Sequence, residues 1–118
     1  MYIDEFREYC IAKKGVTEHT PFGPDTLVLK VMDKMFALTG LDVYEYINLK
    51  CDPEYAAELR EREPGITPGW HMNKKHWNSV KTDGTVSENL LKELIDHSYN
   101  LVVEGLPKKV KEEFLKMD

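Results

Sequence analysis

The residues best suited to chemistry lie between positions 64 and 78. The run reads Pro-Gly-Ile-Thr-Pro-Gly-Trp-His-Met-Asn-Lys-Lys-His-Trp-Asn and holds both tryptophans and two of the four histidines of the chain. Lysine supplies charge for phosphates, asparagine can bond an adenine edge, and an aromatic ring can stack on a base or wedge between two. A strand–turn–strand of this composition can serve as a basic wing. In it Lys74, Lys75 and Lys81 would neutralise phosphates, and Asn73 or Asn78 would touch base edges. The competing reading packs Trp70 and Trp77 in the core and leaves Lys74-Lys75 as a solvated turn.

Other constellations carry less. His71 and His76 are five apart, not the four-spaced helical pair of a zinc protease, and no glutamate takes the required place between them. A third ligand would have to come from His19 or His97, far along the chain, so no metal site is expected. Asp96-His97-Ser98 has the residue types of a triad. Consecutive helical residues point about 100° apart and cannot relay a proton among themselves. Their expected role is structural, tying a helix to the 70–78 hairpin. Gly65 and Gly69 flank prolines and do not open a helix after a strand, so no phosphate loop is present. Cys10 and Cys51 read as reduced core thiols, not nucleophiles. No catalytic residue and no cofactor is expected. An enzyme would have to draw on the 71–78 segment and His97 lining one pocket.

Charge localises the signal. The 118 residues carry 16 Lys+Arg against 21 Asp+Glu, a formal net charge of -5. Residues 64–84 nevertheless set Lys74, Lys75 and Lys81 against Asp83 alone. Every flanking part is acidic, so a uniformly basic nucleic-acid coat is excluded while a local patch is not. Hydrophobic residues at 42% and charged residues at 31% fit one globular domain spanning 1–118. No apolar run approaches the roughly 20 residues that span a bilayer, and the N-terminus lacks the pattern of a signal peptide. A cytoplasmic location without membrane contact is expected.

The elements that must position these residues follow from pattern. Ile3, Phe6, Cys10 and Ile11 predict a helix over 3–14, ended by Gly15. Residues 16–25, with two prolines and a glycine at 21–24, predict a loop. Alternation predicts strands over 26–32, 35–39 and 46–51, with a turn at Asp33-Lys34. Phe36 and Leu38 would share one face. Asp52 as N-cap and Pro53 at the first helical position predict a helix over 53–62. A loop over 64–69 leads to strands over 70–73 and 76–82. Ser87 caps a helix over 88–104 whose buried face is Leu91, Leu94, Ile95, Ser98, Leu101 and Val102. Gly105 and Pro107 end it, and 108–116 is a last amphipathic helix. The architecture is α+β: helix, three strands, helix, two strands, helix, helix. The helices would cover one face of an antiparallel five-stranded sheet. The wet face would display Val28, Lys30, Tyr46, Asn48 and Lys50.

Several of these segments carry a family likeness. Pro21-Phe22-Gly23-Pro24-Asp25, Lys34-Met35-Phe36-Ala37-Leu38, Leu49-Lys50-Cys51-Asp52-Pro53 and the long run from Pro64 to Asn78 resemble the MmcQ/YjbR-like family of small bacterial-type proteins. Asp83-Gly84, Asp96-His97-Ser98-Tyr99 and Gly105-Leu106-Pro107-Lys108-Lys109 extend the likeness over about residues 3–109. The resemblance implies an α+β fold like that of secretion chaperones. It also implies a proposed role in binding double-stranded DNA through a double wing, with Asn73, Lys74, Lys75, His76 and Asn78 as contacts and no established enzymatic activity. The expectation is therefore a weak DNA-binding module. The alternative is a protein- or peptide-binding module that uses the sheet face carrying Lys30, Tyr46, Asn48 and Lys50, or an exposed edge strand.

Overall fold

The structure, a computed structural model, describes residues 1–69 and 72–118. Helix α1 (Ile3–Ile11) buries Phe6 and Cys10, one turn apart, and ends three residues earlier than the pattern predicts. Ile11, the last residue of the helix and next to Cys10, points about 100° away from the buried face and is exposed. Gly15, in the left-handed region at φ +77°, turns the chain into strand β1 (Val16–His19). The prolines and glycine at 21–24 therefore exclude regular structure only after residue 19. β1 pairs antiparallel with β2 (Thr26–Val31), Val16 opposite Val31. Its β-branched Val16 and Thr17 suit a strand, and it supplies β2 with a neighbour.

Strand β3 (Lys34–Gly40) returns through a two-residue turn at Met32-Asp33, one position before the expected one. Both turn residues have positive φ, +50° and +68°, as a type I′ hairpin turn requires. Leu29 pairs with Ala37 and Lys30 with Met35, so Phe36 is the extra residue of a β-bulge. The bulge turns both Phe36 and Ala37 inward. Leu38 then faces the opposite side, and the expected shared face of Phe36 and Leu38 is wrong for this reason. Strand β4 (Tyr46–Lys50) completes a four-stranded meander.

Helix α2 (Pro53–Arg62) begins where expected. The Asp52 carboxylate accepts from the backbone N–H of Glu54 and Tyr55. It leads to β5 (Ile66–Pro68), whose Ile66 is buried beneath the helices. β6 (Trp77–Lys81) inserts between β5 and β4. Strand order is β1-β2-β3-β4-β6-β5, all neighbours antiparallel. The sheet thus has six strands, not five. β1 and β5 arise in stretches expected as loops. Of the strand expected at 70–73, Trp70 and His71 lie outside the described residues, and Met72 and Asn73 are not strand.

Helix α3 (Glu88–Glu104) starts at Ser87, whose Oγ accepts from Leu90 N. It lies across β2, β3 and β4. Leu91, Leu94, Ile95, Ser98 and Val102 are buried as expected, and Leu101 is half-buried. Helix α4 (Lys108–Lys116) adds Phe114 to the core. All four helices lie on the face of Phe6, Leu29, Phe36, Ile47, Leu49 and Ile95. No helix of the described residues is long and apolar enough to cross a membrane.

Ser98 closes this layer. Its hydroxyl donates to Phe36 O at 2.5 Å and accepts from Lys50 N at 2.9 Å. The β3–β4 ladder stops at Ala37–Leu49, and the next rung would join Phe36 to Lys50. Ser98 takes the place of that rung. Ser98→Ala would leave a buried carbonyl and a buried N–H without partners, so a loss of about 1–3 kcal/mol is expected. Urea denaturation checks it. A midpoint equal to that of the unaltered protein at equal slope would contradict the role.

Candidate nucleic-acid interface

The sheet register sorts side chains by face. On the side away from the helices, one end of the sheet pairs Lys30 with Met35 and, past the break in the β3–β4 ladder, Lys50 with Trp77. The middle row is His19, Val28, Leu38, Asn48, Ser79 and Thr67. The third is Thr26, Gly40, Tyr46 and Lys81. Lys30, Tyr46, Asn48 and Lys50 sit on this outer face, as expected, each half-buried. Val28 also points outward but is fully buried, so this face is not uniformly wet.

Trp77, only 9% exposed, lies on the outer face with Gly69 close against it. Gly69 donates to Trp77 O, and a Cβ on Gly69 would stand 2.8 Å from the Trp77 Cβ. Only glycine permits this approach. Asn73 then makes a turn: its side-chain Oδ1 accepts from Lys75 N, and its carbonyl accepts from His76 N and Trp77 N. Its side-chain oxygen is thus committed to holding the turn rather than to reading a base.

Arg60 of α2 fixes the same turn from below. Its Nε donates to Asn78 Oδ1 at 2.7 Å, and its Nη2 donates to the carbonyls of Lys74 and Trp77. Asn78 is therefore 2% exposed and faces the helices. It pairs across from Leu49, an inward residue, so it cannot touch a ligand on the outer face. Its expected base contact is corrected to a structural one. Nothing in the sequence marked Arg60 as part of this region, because its partners lie 14 to 18 residues away.

The lysines divide into two groups. Lys74 and Lys75 are exposed at the turn, and Lys30 and Lys50 stand at that end of the sheet. Among the described residues none of these four forms an ion pair. Lys81 lies at the opposite end of β6, with Nζ 3.9 Å from the Asp83 carboxylate. It shares a surface hollow with Asp42 and Glu45. Asp25 is at that end too, and its carboxyl is pushed up by a hydrogen bond with, and the charge of, Asp42. Lys81 thus serves an acidic neighbourhood, not the basic turn. The outer face is polarised, lysine at one end and carboxylate at the other.

Asp96, His97 and Ser98 serve three separate partners. Asp96 accepts from Tyr9 and Lys13, His97 Nε2 accepts from Asp52 N, and Ser98 bridges β3 and β4. The trio is structural, as expected, but its anchors are α1, the start of α2 and the sheet rather than the 70–78 hairpin. His71 lies outside the described residues. Among the described residues no group of three His, Cys, Asp or Glu side chains could hold a metal ion. Cys10 and Cys51 are free and buried, and burial pushes their thiols up to about 12 and about 11.

Two measurements check these assignments. Both thiols are neutral near pH 8, so a disulfide reagent should label neither in the native state and both in denaturant. Rapid native labelling of either would contradict the burial. Arg60→Ala should raise amide exchange at residues 75–77 at least about tenfold over that of α3, because local opening no longer breaks three bonds. Equal protection in both proteins would remove Arg60 from the account.

Comparison with known proteins shows the family and fold. The YjbR family model matches residues 11–101. YbdF of Escherichia coli is 48% identical over 90 residues, covering 75% of this chain and 74% of its own length. YjbR of Escherichia coli is 33% identical over 110 residues, covering 92% and 93%. A crystal structure of a Deinococcus radiodurans protein with a DUF419 domain superposes with a TM-score of 0.89. It is 41% identical, over 95% of this chain and 86% of that one. The expected likeness thus holds over most of the length, and the chain belongs to the YjbR family.

Proposed function

We propose that the chain is a weak, non-enzymatic DNA-binding module that contacts phosphates through Lys30, Lys50, Lys74 and Lys75. The observation that supports the reading most is the polarity of the outer sheet face. Four lysines, none in an ion pair among the described residues, stand at one end, where exposed Asp33 of the β2–β3 turn is the carboxylate the register places nearby, while Asp25, Asp42, Glu45 and Asp83 gather at the other. A polyanion would be drawn to the first and turned away from the second, which orients it without base contacts. The pinned turn adds preorganisation: Arg60 and Asn73 hold Lys74 and Lys75 before any ligand arrives. His76, half-buried beside them, completes the contact set. Lys81 and Asn78 are outside it.

Exposed Phe22 and Val43 near the same face favour a second reading, a protein- or peptide-binding surface. Capture from lysate with and without nuclease separates the two. Partners lost with nuclease favour DNA, and partners retained favour protein.

Titration of a labelled duplex at several salt concentrations tests the first reading. Four engaged lysines give a slope of log affinity against log salt of about -3.6. Lys74→Ala/Lys75→Ala should lower it to about -1.8. Absence of binding at low salt, or a slope unaltered in the double variant, would overturn the reading.

A further inference from the structure

The outer face carries a feature that phosphate contacts do not use. Between the lysine end and the acidic end the middle of the sheet is hollowed. One hollow of about 470 Å³ is lined by the apolar Phe22, Met35, Leu38 and Met72, with Thr26, Thr39 and Asn48 as its polar groups and Gly40 between. A second, of about 540 Å³, shares Asn48 and Gly40 and continues over Tyr46 toward Pro68. Both fall within the size range of small-ligand pockets.

Three properties restrict the occupant. Four of the side chains lining the first hollow are flat or flexible apolar groups, and one of them, Phe22, is 68% exposed. Its ring is not needed by the core. Second, the polar group shared by both hollows is an amide. Asn48 Oδ1 accepts from Ser79 Oγ at 2.5 Å, so its NH2 is the end left to face a ligand. Third, the strand register puts Lys50 two residues along β4 from Asn48, and Lys30 across from Met35. The occupant therefore has a flat ring with hydrogen-bond acceptors and an anionic group a few ångströms away. A nucleotide has that form.

We infer that the hollow over Leu38 receives an unpaired base of single-stranded DNA, stacked on Phe22 and Met72 and bonded by Asn48, while its flanking phosphates lie on Lys30 and Lys50. This rests on the DNA-binding reading and names its substrate class. A duplex could reach Lys74 and Lys75, but its bases are stacked and cannot enter the hollow. A single strand can place the backbone at the lysine end and turn a base inward.

Three fluorescent ligands test the inference at low salt: an oligothymidylate about 12 nucleotides long, an abasic strand of the same length, and a duplex. The oligothymidylate should bind at least about fivefold tighter than the abasic strand, which has the same charge. Phe22→Ala and Met72→Ala should each weaken oligothymidylate binding about fivefold and leave duplex binding unchanged. Phe22 is exposed, so its variant keeps the fold, and a thermal melt confirms that. Equal affinity for the thymidylate and abasic strands overturns the base site, as does indifference of thymidylate binding to both substitutions. Duplex binding that persists in that case leaves the DNA-binding reading standing. Failure of all three ligands to bind overturns both.

Discussion

The bulge at Phe36 is the constraint on which the rest of the sheet depends. It puts two consecutive side chains into the core and leaves a backbone carbonyl off the ladder. An unmet buried carbonyl costs about 1–3 kcal/mol, so the fold needs a donor there. Ser98 is that donor, and the same oxygen accepts the Lys50 N–H across the gap. One hydroxyl therefore sets the height of α3 over the sheet and holds β3 to β4 where their own pairing ends. Phe36 then meets the edge of Tyr99 one residue further along α3. The bulge has a second effect on the opposite face. It reverses the alternation of β3, so Met35 and Leu38 point outward beside Lys50 and Asn48. The apolar floor of the outer hollow is a product of the same irregularity that Ser98 repairs.

The chain just past the same end of β4 shows how the helix layer reaches through the sheet to shape that face. His97 meets the backbone at Asp52, the residue that caps α2. α2 carries Arg60, and Arg60 holds the 74–77 turn. Gly69 lets the chain lie against Trp77. The basic tip, with Lys74 and Lys75 exposed on it, is thus held by the helix layer. Protein charge as a whole is negative, yet Asp25, Asp42, Glu45 and Asp83 lie at the far end and leave Asp33 as the exposed carboxylate of the turn beside Lys30. Placement along three strands matters more here than the net value.

The parts legible in the sequence were those fixed by local chemistry. Asp52-Pro53, Ser87 and Gly105 with Pro107 bound α2 and α3 at the residues observed, because caps act within one turn. Cys10 and Cys51 read correctly as buried thiols. β1 and β5 were not legible, since each is only four or three residues long and is a strand by virtue of its partner. The Phe36 bulge was hidden for a similar reason: Met35 to Thr39 alternates well enough to pass for a regular strand. The misplacing of Asn78 and Lys81 follows from register, and that of Asn73 from the turn its own side chain makes. Asn78 and Lys81 belong to the same short strand as the outward Ser79, and only pairing with Leu49 and Tyr46 shows that one faces inward and the other the acidic end.

The most direct measurement of the central claim, that the lysine end of the outer sheet face is the contact surface, is an amide-resolved NMR titration with short DNA. The account predicts shifts concentrated at Lys30, Asn48, Lys50 and residues 73–76, with Asp25, Asp42 and the outer sides of α1 and α3 unmoved. Shifts centred on the acidic end or on the helix layer would contradict it.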